Sequence, residues 1–155
     1  MHLSCAFATS PATPEHIAAA EGLGYERAWC YDSPALYPDV WMTLALTAQR
    51  TSTIGLGPAV LVPSLRHPMT NAAAIATLAA LAPGHEDHLV AVTDRDRPAV
   101  VEGIGLLPAA SLTGTAAEVR AKVAQLADAG VTEIAYQPAG PDIPGELERF
   151  ARAVG

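Results

Sequence analysis

Basic residues are scarce in this chain. Nine lysines and arginines stand against sixteen aspartates and glutamates, a formal net charge of −7 over 155 residues. The nine are scattered, and the one basic cluster, Arg95-Asp96-Arg97, follows Asp94, so its local charge cancels. No cationic stripe exists that would release counterions from phosphates, which argues against nucleic acid as a partner. Long apolar runs are also lacking: nothing approaches the about 18 residues that a membrane-spanning helix needs. The N-terminus, Met1-His2-Leu3-Ser4-Cys5, has neither a basic region nor a long apolar one. It does not read as an export signal, and the expected compartment is the cytoplasm. Cysteine is limited to Cys5 and Cys30, and two buried thiols are expected rather than a disulfide or redox pair. Charged residues make up 16% of the chain while half of it is apolar, too hydrophobic for disorder. Alanine fills 32 positions, so strong core formers are fewer than that half suggests. The length suits one domain with a core of its own.

The pattern along the chain alternates. Leu3 to Ala8 is a short apolar run that reads as a buried strand. Thr13 and Pro14 open a helix as N-cap and first turn, and Gly22 and Gly24 end it. Glu26 to Tyr31 is a second strand, broken at Asp32-Ser33-Pro34. Asp39 caps a helix to Arg50, with Trp41, Leu44, Ala45 and Ala48 at helical spacing. Thr53 to Val62 is a third strand, which Pro58 should make irregular because proline cannot donate to a ladder. An alanine-rich helix follows from Met69 to Leu81. His85 to Leu112 reads mostly as loop, with one or two short helices. Thr115 and Glu118 form a capping box that opens a helix stopped by Gly130. Val131 to Gln137 is a strand, and Pro144 to Val154 a last helix. This order predicts an α/β fold with a parallel sheet covered by crossover helices. No glycine-rich phosphate fingerprint follows a strand, so a Rossmann cofactor site is disfavoured. His85 and His88, beside Glu86 and Asp87, lack the spacing of a metal site and read as a solvated loop.

Three stretches taken in order carry a resemblance. They are Ala20 to Trp29 with Asp32-Ser33-Pro34; Arg50-Thr51 with Ile54-Gly55-Leu56-Gly57-Pro58-Ala59-Val60; and Arg66-His67-Pro68 through Thr77-Leu78 to Pro83-Gly84. Together they resemble the luciferase-like monooxygenases, whose members use FMN or a deazaflavin coenzyme, F420, on a (β/α)8 barrel. Leu112 to Val119 and Gly130 to Ile134 resemble the end of the same barrel. Tyr31-Asp32-Ser33-Pro34 and Pro138 to Asp142 bring the deazaflavin-dependent branch nearer. A whole barrel needs on the order of 250 residues, so the resemblance implies an internal deletion after Gly84. The expected layout is a single truncated barrel domain: residues 1–84 as three βα units, 85–111 as an irregular junction, and 112–155 as the last units. The retained strands would be neighbours, a half-barrel in the order eight-one-two-three, with Ala110 to Thr113 as a short seventh.

The resemblance implies a site at the C-terminal ends of the strands. Asp32 would lie beside the cofactor ring as the catalytic residue; the other reading is a turn cap before Pro34. Gly57, Ala59 and Val60 would bind the cofactor, with Ala59-Val60 at a non-prolyl cis peptide behind the ring, or else at an ordinary bulge. Trp29, Trp41, Tyr31 and Tyr37 line a pocket or pack in the core, core being the better reading for Trp41. His67 faces the site or caps the third helix. The implied function is oxidoreductase or monooxygenase chemistry, with a reduced flavin or deazaflavin serving hydride or oxygen transfer to a small organic substrate. The cofactor would bind weakly, since positions that hold its phosphate tail fall in the deletion. A different class is a catalytically inert paralogue serving as an assembly or interaction module. The open sheet edges predict a homodimer, the third strand of each copy beside the eighth of the other.

Overall fold

In a computed structural model of the chain, which describes residues 2–85, 114–138 and 141–155, four strands form one parallel sheet. The strands are β1 (His2–Phe7), β2 (Arg27–Cys30), β3 (Gly55–Pro58) and β4 (Glu133–Tyr136), in the order β3-β2-β1-β4. β4 is the predicted eighth strand, so the expected order eight-one-two-three is realised, and β4 pairs with β1 through His2–Glu133 to Cys5–Tyr136. β2 joins β1 through Ser4–Arg27 to Phe7–Cys30. The helices are α1 (Thr13–Gly22), α2 (Val40–Ala48), α3 (Pro68–Leu81), α4 (Ala116–Asp128) and α5 (Ile143–Val154), with a 3-10 turn at Pro63–Leu65. They pack in the order α3-α2-α1-α5-α4, which follows the strand order beneath them. Parallel strands each followed by a covering helix make an arc of a (β/α)8 barrel.

Alternation along the strands separates two faces. Cys5, Phe7, Ala28, Cys30, Leu56 and Ile134 face the helices and share a buried core with Ile17, Leu44, Val119, Leu147 and Phe150. The other face carries Ser4, Ala6, Arg27, Trp29, Gly55, Gly57, Glu133 and Ala135. There Glu133 accepts from both the Ser4 hydroxyl and the Arg27 guanidinium, tying β1, β2 and β4 across their N-terminal ends. Cys5 and Cys30 are free, buried thiols, as expected. Burial pushes the Cys30 thiol up to about 12, and burial with the neighbouring Cys30 pushes Cys5 up as well.

Several boundaries differ from expectation for identifiable reasons. β3 is four residues long, not Thr53 to Val62. The amides of Ser52, Thr53 and Ile54 donate to the Glu21 carboxylate (2.8, 2.6 and 2.9 Å), so they are unavailable to a ladder. Thr13 is the first helical residue rather than the cap, because its hydroxyl accepts from Ser10 N at 2.9 Å in the preceding loop. Gly22 is the last residue of α1, and Gly24 beyond it takes the left-handed conformation at φ 85°, as Gly130 does at φ 92° after α4. The capping box of Thr115 and Glu118 is formed in both directions. The predicted short strand Ala110 to Thr113, the Glu86-Asp87-His88 part of the expected solvated loop and most of the junction lie outside the described residues, whereas His85 is not solvated but buried, its ring hydrogen-bonded with the Ile54 carbonyl. Among the described residues no helix is long and apolar enough to cross a membrane, and no group of metal-ligating side chains is assembled.

Candidate functional site

Parallel strands place all their C-terminal ends on one side, and two candidate segments meet there. The Ala59 amide donates to the Cys30 carbonyl at 2.9 Å, fastening the end of β3 to the end of β2. The next peptide, Ala59-Val60, is cis. Two residues on, the Val62 amide donates to Asp32 Oδ2 at 3.0 Å. Asp32 and Ala59-Val60 therefore share one end of the sheet. Gly57 lies in register with Trp29 inside β3. Gly57 is buried, Ala59 half-buried and Val60 exposed, so the small residues form a ledge that rises from sheet to surface.

The Asp32 side chain is 1% exposed and both its oxygens face Arg66. Arg66 Nη1 donates to Oδ1 at 2.9 Å and Oδ2 at 2.7 Å, while Nη2 donates to Asp39 Oδ2 at 2.8 Å. Asp39 is also the N-cap of α2, its Oδ1 accepting from Trp41 N and Met42 N at 2.9 and 3.1 Å. One guanidinium thus joins the end of β2, the start of α2 and the segment leading to α3. Hydrogen bonding to Asp32 and then Asp39 raises the Arg66 pKa above its ordinary value. Burial pushes the Asp39 carboxyl up, but Arg66 and the two helix amides outweigh it and hold it below the usual carboxylate range. Asp32 therefore does not cap the turn before Pro34. It is the buried centre of a charged network.

The remaining candidates separate. His67 caps α3, its Nδ1 accepting from Met69 N at 3.2 Å. Trp41 is buried and donates from Nε1 to Asn71 Oδ1 at 3.2 Å, holding α2 to α3 as a core residue. Trp29 is half-buried on the inner face of the sheet, and Tyr37 is partly exposed. Burial, with Tyr37 and Cys30 nearby, pushes the Tyr31 phenol up. The partnership of Arg66 with Asp32 and Asp39 was not foreseen from the sequence, where Arg66 figures only in the stretch Arg66-His67-Pro68 that carries the resemblance. Its signal was available: one arginine just past a strand end, with two aspartates flanking the preceding strand–helix turn. A separate cavity of about 540 Å3 opens between α4 and α5, lined by Tyr136, Glu146, Arg149 and Phe150 among others. None of the predicted site residues lines it.

Comparison with known proteins finds a family match over the part of the chain that carries these residues. The family model described as luciferase-like monooxygenase matches residues 8–85, which include Asp32, Arg66 and the Gly57 to Val60 ledge. An F420-dependent hydroxymycolic acid dehydrogenase of Mycobacterium tuberculosis (strain ATCC 25618 / H37Rv) is 40% identical over 77 residues, covering 44% of this chain and 21% of the relative. The chain thus spans about a fifth of that relative's length. With half of its residues matched and its strands in the order of the barrel's closing arc, the chain belongs to the luciferase-like monooxygenase family.

Proposed function

We propose that the ledge at the C-terminal end of β2 and β3 holds the ring of a reduced flavin or deazaflavin, and that the chain is an oxidoreductase acting on a small organic substrate. The observation that carries this reading is the meeting of Ala59-Val60 with the Asp32–Arg66 network at one sheet end, inside the matched segment. A planar, largely apolar ring fits the donor set. Gly57 and Ala59 bring backbone and a methyl group to the ledge, and Val60 adds an exposed apolar side chain. When bound, the ring supplies hydride or oxygen transfer, and the protein's part is to seat it and exclude water. The relative's dependence on F420 favours the deazaflavin over FMN.

Within this reading Asp32 is a positioning residue. Its oxygens hold Val62 N and Arg66, so it sets the backbone of the 59–62 segment from beneath. Arg66 is engaged by two carboxylates and contributes nothing to a phosphate tail. Cofactor affinity in a single chain is expected to be weak, because the positions that hold the phosphate tail in the resembled family fall in the deletion. A second reading, a catalytically inert assembly module, draws on the small share of the relative that the chain spans. Titration of the purified protein into F420 or FMN, followed by cofactor fluorescence, separates the two. Saturable quenching that weakens in Asp32→Asn is expected. No saturable change with either cofactor would overturn the oxidoreductase reading and leave the assembly module.

A further inference from the structure

The fold uses two of its four tyrosines for hydrogen bonds of its own. Tyr25 donates from Oη to the Leu147 carbonyl at 3.1 Å, and Tyr136 donates to Glu146 Oε2 at 3.2 Å. Tyr31 and Tyr37 differ. Among the described residues neither of their hydroxyls has a hydrogen-bond partner, and the Tyr31 hydroxyl is not sealed from solvent. The place of Tyr31 is set by the sheet. On the inner face of β2, Trp29 stands between Ala6 of β1 and Gly57 of β3. The pairing runs one step past the strands, since Tyr31 N donates to Phe7 O at 3.0 Å and Ala59 N to Cys30 O at 2.9 Å. Tyr31 therefore falls between Ala8 and Ala59, on the same face as Trp29 two residues before it. The two aromatic side chains make a ridge along β2, with a lane of small residues on either side. The lane toward β3, Gly57 and Ala59, runs into the cis peptide Ala59-Val60. The lane toward β1, Ala6 and Ala8, is half-buried and has no part in the site described above.

We propose that Tyr31 is a substrate-binding residue, its phenol donating a hydrogen bond to the oxygen of a small uncharged ketone or alcohol that lies in the Ala6/Ala8 lane. The inference rests on the reading that the Gly57/Ala59 lane seats the cofactor ring, which leaves the neighbouring lane for the substrate; Tyr31 borders both. Burial, with Tyr37 and Cys30 nearby, holds the phenol above its ordinary pKa, so at neutral pH it is protonated and serves as a donor to an acceptor oxygen. The alanine methyls and the Trp29 ring offer apolar contact. A carboxylate or phosphate in this lane would be stripped of water with no cation to meet it, because Arg66, the cation at this end, is engaged by Asp32 and Asp39. A hydrocarbon would fit the lane and leave the phenol unanswered, and a site that hydrogen-bonds a substrate oxygen discriminates against the analogue that lacks it.

The test uses the whole chain carrying 13C-labelled tyrosine, with cyclohexanone as the probe, followed by NMR with and without F420. The Tyr31 ring signal, identified by its loss in Tyr31→Phe, is expected to shift saturably while those of Tyr25 and Tyr136, which are tied within the fold, stay in place. Tyr31→Phe keeps the ring and removes no hydrogen bond of the described fold. It is expected to weaken cyclohexanone binding about three- to tenfold in ligand-observed saturation transfer, the share of one neutral hydrogen bond. Methylenecyclohexane, which has the same shape without the oxygen, is expected to bind both proteins alike. Equal affinity of Tyr31→Phe and wild type for cyclohexanone overturns the proposal, as does the lack of a saturable shift at Tyr31 in both conditions. Fluorescence titration with F420 and FMN keeps this inference apart from the reading beneath it. Saturable quenching together with equal cyclohexanone binding by Tyr31→Phe sinks the inference alone. A Tyr31-dependent cyclohexanone site in a chain that binds neither cofactor sinks the ring reading, and the Tyr31 contact stands.

Discussion

Replacing Arg66 by methionine keeps much of its volume and removes the guanidinium. Asp32, 1% exposed at its side chain, then retains the Val62 amide as its hydrogen-bond partner, at 3.0 Å. Taking one partner from a buried pair costs about 3–5 kcal/mol, chiefly because the other charge stays buried without compensation. The lost bond to Asp39 adds at most about 1 kcal/mol, since that carboxylate is 39% exposed and water replaces the arginine. Domains of this size are stable by about 5–15 kcal/mol, so Arg66→Met takes a large share of the total. Arg66→Lys is milder, about 1–2 kcal/mol, because an ammonium carries the charge without the fork that serves both Asp32 oxygens. Asp32→Asn with Arg66→Met together cost less than the sum of the two, as members of one network do. Urea unfolding followed by tryptophan fluorescence reads all four proteins, with Trp29 on β2 close to the change. A loss below about 1 kcal/mol for Arg66→Met, the behaviour of a surface ion pair, would refute the argument that the network is a buried anchor.

Two further outcomes follow from the other end of the sheet. Hydrogen bonds from Ile54, Ser52 and Thr53 outweigh the upward push of burial and lower the Glu21 pKa in the folded chain, so its stabilising contribution is present above the unfolded value near 4.5 and is lost as pH falls through the folded one. Glu21→Gln is therefore expected to cost about 1–2 kcal/mol at neutral pH and to flatten the acid limb of stability against pH; an unchanged acid limb in thermal melts would contradict it. Gly84→Ala is expected to destabilise by about 1–3 kcal/mol, because a Cβ there would lie 2.4 Å from the Ser52 carbonyl oxygen, which is backbone and cannot swing aside. A melting temperature equal to wild type would show that the turn relaxes freely.

The parts of this fold that were legible in sequence are those set by local chemistry. The capping box at Thr115 and the Asp39 cap each need a residue within one helical turn of its target, so their signals survive in a linear reading. Strand order was legible through the motifs at both ends of the chain. The ends of β3 were not, because its boundary depends on Glu21, which lies on another element and takes the amides that would have lengthened it. Asp32 was recognised by position and its surroundings were missed for the same reason. Arg66 is thirty-four residues away, and its choice between two aspartates is a matter of packing. The exposure of α3 was equally hidden. A helix rich in alanine has no sharp apolar stripe, so periodicity does not say which side faces water.

The pairing of β1 with β4 bears on how the chain comes to be folded. On one side β1 pairs with β2, which follows it closely in sequence. Its other partner lies far along the sequence, since His2 to Cys5 pair with Glu133 to Tyr136. Contacts so distant in sequence are slow to form, because a long loop must be closed before any of them stabilises the chain. During that interval one side of β1 is bare, and Cys5 and Phe7 lack the α5 side chains that complete their core. A nascent chain halted before Glu133 would therefore present a sticky strand to its neighbours on the ribosome, and the arrival of β4 with α5 would cover it.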